Sequence, residues 1–169
     1  MDKVSNNSIS FLGLANEYCK LMESDSNIGK DEFIDAALRL LPRLYITASD
    51  LSFTSIVDDI YIQPCLEEDY YESVRRRVET ILGEDDIFLE VFEEDMKFSD
   101  TPIAASIAEC MSDIFQDLYN LINSVKDAPQ SHINDFLYVC KDHFEAYWGQ
   151  TLCNVLRALH AVKYNHKTF

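Results

Sequence analysis

Glu109, Asp113 and Asp117 recur every four residues and therefore share one face of a helix. A row of carboxylates at that spacing could hold a divalent ion and activate a water molecule for hydrolysis. Further along, His143, Gln150, Asn154 and Arg157 are spaced seven, four and three apart. On a helix wheel they fall within roughly 60°, bordered by Tyr147. An imidazole there could move a proton and a guanidinium could grip an anionic substrate. Glu145 falls instead in the apolar arc with Trp148 and Leu152, where a carboxylate is costly to bury unless paired or protonated. Glu109, Asp113, Asp117, His143, Glu145 and Arg157 are thus the candidate catalytic residues. Three readings compete. Both polar faces stand in water; Arg157 pairs with Asp113 or Asp117 to lock helix register; or the group lines a pocket.

Motifs that would fix a chemistry are missing. There is no HExxH, no CxxC, no G-x-S-x-G elbow and no glycine-rich phosphate loop. The ExxE and ExxD metal motifs of all-α nucleotide pyrophosphohydrolases are not cleanly matched by Glu90–Glu93 or by Glu109 with Asp113. The acidic stretch 84–100 lacks the ligand spacing and central glycine of an EF-hand. No metal site and no cofactor are expected.

The elements that must position these residues are helices. Phe11, Leu14, Ala15, Tyr18, Leu21 and Met22 step by three or four behind a cap at Ser8 or Ser10, ahead of a stop at Asn27–Gly29. A second stripe runs from Asp31 through Phe33, Ala37, Leu40 and Leu44, with a kink or break expected at Leu41–Pro42. Residues 50–66, including Asp58 and Asp59, read as a loop. The third helix spans Glu67–Leu82, with Glu72–Arg76 as an i,i+4 pair and Gly83 as its stop. Ile87–Phe92 is apolar enough for helix or strand. The fourth helix begins at Thr101–Pro102 or at the capping box Ser106–Glu109 and reaches Val125. After Asp127–Pro129, apolar positions from Ile133 to Val162 keep phase through Gly149. That predicts one helix of ~35 residues, ~50 Å long, with a close-packed neighbouring helix explaining Gly149. The sum is an all-α antiparallel bundle of five to seven helices with a long central C-terminal helix, in one domain over 1–169 with loose ends at 1–7 and 164–169.

Composition sets the partners. The net charge is −16, so nucleic acid and anionic membranes are disfavoured and a basic protein partner is the natural complement. The stretch 131–169 carries four Lys/Arg against three Asp/Glu, so the acidity lies in the rest of the chain. Five cysteines without a CxxC read as small buried thiols of a reducing, cytoplasmic setting. No apolar run is long enough to span a membrane. The leading expectation is a non-enzymatic interaction or regulatory protein. The alternative is a metal-dependent hydrolase-type enzyme using the carboxylate cluster.

The stretches DIFQDLYNLI (Asp113–Ile122) and HFEAYWGQTLCNVLRALH (His143–His160) resemble a bacterial helical family, the domain-of-unknown-function family 5063. YCKLMES (Tyr18–Ser24) and LPRLY (Leu41–Tyr45) are similar to it as well, so the resemblance covers about residues 9–162. It implies a single helical domain of cytosolic bacterial type and brings no catalytic residue. The family tends to place a second histidine just before its tryptophan, where this chain has Tyr147. That departure weakens any metal site there.

Overall fold

Ser5, rather than Ser8 or Ser10, opens the first helix: its hydroxyl accepts the Ser8 backbone N–H at 3.1 Å. The computed structural model describes residues 3–24, 27–54, 60–90 and 103–165. Helix α1 spans Asn6–Glu23 and buries Phe11, Ala15, Tyr18 and Met22. Helix α2, Lys30–Ser49, runs through Pro42 without a break. Proline removes one backbone donor there, but Leu40, Leu41 and Leu44 around it are buried, and their packing holds the turn. Helix α3 spans Glu68–Leu82 and ends at Gly83, whose φ of +60° suits glycine.

A 3₁₀ turn, Gly83–Asp86, leads into strand β1, Ile87–Leu89, which pairs antiparallel with β2, Ala104–Ser106. The ambiguous run at Ile87 thus begins as a strand. Residues 91–102, with the Thr101–Pro102 start for the fourth helix, lie outside the described residues, as do Asp58 and Asp59. The capping box is the observed start. Ser106 accepts from the Glu109 N–H at 3.2 Å, and α4 spans Ile107–Lys126. Buried Asp86 reinforces this end, accepting from Ser106 Oγ at 2.6 Å and from the Ala108 N–H at 2.7 Å. A carboxylate facing the positive end of the helix is well placed.

The last helix is continuous but not uniformly α. α5, Ile133–His143, passes through a five-residue π turn, Phe144–Trp148, into α6, Gly149–Tyr164. The Gly149 N–H donates to the Phe144 carbonyl, the i→i−5 bond of a π turn. Glycine is required by the helix itself and not by a neighbouring one. A Cβ there would lie 2.7 Å from Phe144 O and 2.9 Å from its ring. The last helix packs on α2 and α4, and α4 also touches α1, α3 and α5. The core joins Phe11, Tyr18, Phe33, Leu44, Phe115, Trp148 and Leu152. Trp148 is fully buried, stacked on Phe11 at 6.3 Å and edge-on to Phe144 at 4.8 Å between ring centroids. The fold is all-α with a small two-stranded ribbon.

Cations hold helix ends together. Arg77 donates to the carbonyls of Leu21, Met22 and Ser24, closing the C-terminus of α1. Lys141 donates to Ser49 O at 3.2 Å and Leu51 O at 2.5 Å, doing the same for α2. Arg75, instead of Arg76, pairs with Glu72 at 2.8 Å and with Glu79 at 2.6 Å. Only part of the expected burial of the cysteines is found. Cys19 and Cys140 are buried, Cys110 is intermediate, and Cys65 and Cys153 are exposed; all five are free thiols.

The π turn gives a direct test. Ala at 149 gains about 1 kcal/mol of helix propensity, but the clash with Phe144 costs about 1–3 kcal/mol in a packed turn. Gly149→Ala should therefore lower the urea midpoint. Gly13→Ala, in α1 with nothing within 4 Å of the added Cβ, should raise it. A stabilised Gly149→Ala variant would contradict the π turn.

Candidate functional site

α4 and the last helix run antiparallel, so residues four apart on one meet residues four apart on the other. Asp117 faces His143, with 3.3 Å between Oδ1 and Nδ1. Asp113 faces Tyr147, whose hydroxyl donates to Oδ2 at 3.0 Å. The other oxygen of Asp113 accepts from the Tyr71 hydroxyl of α3 at 2.6 Å. Two turns further, Gln150 donates to Asn154 at 3.0 Å, and Asn154 donates to Glu90 at 3.3 Å. The two polar stripes therefore meet across a partly buried seam instead of standing free in water. Asp113 and Asp117 are intermediate in burial, and Glu109 and His143 are exposed.

The electrostatics follow from that position. Burial pushes the Asp117 carboxyl above the usual aspartate range, and the facing His143 pulls it partly back. Burial and then the Asp113 charge push the Tyr147 hydroxyl up to about 12. Burial, with the Asp113 hydrogen bond second, holds the Tyr71 hydroxyl well above its ordinary value. Burial comes first again for the Cys110 thiol, pushed up to about 12 with help from Glu90, Asp113 and Glu109. The Tyr71 and Tyr147 hydroxyls and the Cys110 thiol are therefore proton donors held neutral. None of these three is poised as a base or thiolate nucleophile near pH 7.

The structure thus joins three of the six sequence candidates, Asp113, Asp117 and His143, and places Glu109 at the exposed start of the same stripe. Glu145 is exposed, not held in the apolar arc. That arc assumed uninterrupted 3.6-residue spacing, and the π turn breaks it: Phe144 and Trp148 go inward while the three residues between them face out. Arg157 is also exposed, and it forms no ion pair with Asp113 or Asp117 among the described residues. It lines a cavity of about 80 Å³ with Phe88, Glu90 and Gln150. Small-molecule sites commonly need about 300–1,000 Å³. Among the described residues no three His, Cys, Asp or Glu side chains are grouped to hold a metal ion. Sequence reasoning missed Tyr71. Its tie to Asp113 depends on α3 packing against α4, and nothing local signals that contact.

A family model described as "Domain of unknown function (DUF5063)" matches residues 2–165. The crystal structure of protein BF1032 from Bacteroides fragilis is 33% identical with a TM-score of 0.84, covering 98% of this chain and 97% of that one. No curated protein matches.

Two substitutions test the seam. Tyr71→Phe removes one of two donors to Asp113 and should cost about 1–2 kcal/mol in urea unfolding; a loss under about 0.3 kcal/mol would remove Tyr71 from the network. Asp117 titrates higher when folded than when unfolded. Its contribution to stability is therefore intact below about pH 4 and is lost as pH rises through the folded value. Asp117→Asn keeps an acceptor for His143 and removes that loss. Relative to the parent chain, its melting temperature should improve as pH rises from about 4 and be no lower at pH 7. A variant whose disadvantage grows with pH would reverse the assigned sign.

Proposed function

The chain belongs to the domain-of-unknown-function family DUF5063, and we propose that it works as a non-enzymatic binding protein that meets a basic protein partner through its acidic surface. The observation that carries this reading is where the cations go. The chain has 14 Lys and Arg against 30 Asp and Glu. Arg77 and Lys141 are spent on helix C-termini. Arg75, Lys30 and Lys163 are spent on neighbouring carboxylates. Five of the fourteen cations are thus turned to internal contacts, while Glu17, Glu23, Asp31, Glu32, Glu67, Glu68 and Asp69 remain exposed. Such a field speeds encounter with a cationic surface and repels anions.

The hydrolase alternative gains little from the geometry. Asp113 and Asp117, the carboxylates it needs, already serve tyrosine and histidine partners, and the adjoining cavity is small.

Affinity capture from a cytoplasmic extract of the source cells tests the binding reading. At about 50 mM salt the chain should retain a discrete basic protein and release it near 500 mM, as screening shortens the reach of exposed charges. Recovery of background proteins alone at low salt would overturn it.

A further inference from the structure

The C-terminal end of α4 forms one wall of an open groove of about 620 Å³. The facing wall is the segment 60–65, and the start of α5 closes the third side. The wall is a built one. Asn120 of α4 is buried, and its side-chain oxygen accepts from the backbone N–H groups of Cys65 and Leu66, each at 3.0 Å. Tyr61, Pro129 and Phe136 give the groove apolar and aromatic surface. Its lining holds no Lys or Arg and a single carboxylate, Asp127.

Asp127 is in an unusual place. It is the C-cap of α4, where the last carbonyls already concentrate partial negative charge. Cations are favoured at such an end, and Lys126 sits in the last turn; a carboxylate adds repulsion. No Lys or Arg pairs with Asp127 among the described residues, and its side chain is exposed. A cation in the groove would meet the carboxylate and the helix end together. Tyr61 and Phe136 in the same lining offer apolar faces to a side chain flanking that cation. The groove is open along its length and belongs to a chain of net charge −16, which favours an extended basic segment of a protein over an enclosed small molecule.

We propose that this groove is the docking site for a basic, apolar-flanked segment of a protein partner. One Lys or Arg side chain sets against Asp127 and the end of α4, and a flanking apolar side chain covers Tyr61 and Phe136. The proposal rests on the basic-partner reading above and says where that partner is held.

The full chain, ¹⁵N-labelled, is titrated to about 2 mM, the range of a weak peptide contact, with the acetylated amide Phe-Arg-Leu-Lys-Phe. Parallel titrations use its counterpart Phe-Glu-Leu-Glu-Phe and phenethylammonium. The basic peptide should give saturating amide shifts at Asp127, His132 and Phe136, and the acidic peptide none. Asp127→Asn should weaken binding about tenfold. Tyr61→Ser, at a site that is 63% exposed and so safe for the fold, should weaken it severalfold. No shift at these amides, or shifts confined to Glu67–Asp69 with Asp127→Asn without effect, would overturn the groove. So would binding of phenethylammonium with the peptide excluded, which would make this a small-molecule site. In each of those cases salt-sensitive capture of a basic protein could persist, so loss of the groove and loss of the binding reading are told apart.

Discussion

The Phe144 carbonyl accepts from the Gly149 N–H, and the π turn this bond closes sets how the last helix presents its residues to both neighbours. A helix this long, packed on two neighbours, has to keep its apolar side inward along its whole length. The five-residue turn puts both Phe144 and Trp148 into the core, where Trp148 stacks on Phe11 of the first helix. It also fixes how His143 and Tyr147 stand against Asp117 and Asp113. Without a glycine directly after the turn, a Cβ would strike the carbonyl and ring that close it. The polar seam is thus a consequence of how the core helix is wound.

Charge is distributed to the same end. Three carboxylates that point inward have donors: Asp86 from Ser106 and the start of α4, Asp113 from two tyrosines, Asp117 from a histidine. Cations that could have balanced the surface instead close the ends of α1 and α2. Burying a carboxylate without a partner is expensive, and the donors to these three offset that cost. Many of the others face out and leave the molecule strongly negative. The same bonds that stabilise the bundle therefore set the field a partner would meet.

Much of this was legible in the sequence, for physical reasons. The capping box at Ser106 and the broad stripe from Ile107 to Leu121 are local signals, and α4 starts where the capping box stands. The last helix was legible from its apolar period, but its π turn was not. Five residues in one turn leave almost no trace in a pattern read at 3.6, and Glu145 was misplaced for that reason. Gly149 was the trace, and it pointed to its own helix. Pro42 misled in the other direction, because buried neighbours can hold a turn that has lost a donor. At the site, the spacing of Asp113 and Asp117 was readable and their partners were not. Tyr71 reaches Asp113 only because two helices far apart in sequence lie side by side. The Asp127 groove was invisible for the same reason.

The central claim is that Asp113, Asp117 and His143 form an architectural seam and not a catalytic metal site. Paramagnetic line broadening by Mn²⁺ tests it at the atoms concerned. With micromolar Mn²⁺ added to the ¹⁵N-labelled chain, the account predicts no selective broadening at the amides of Asp113, Asp117, His143 and Tyr147 beyond that of other exposed acidic stretches. Saturable broadening centred on those four residues, abolished by Asp113→Asn, would contradict it.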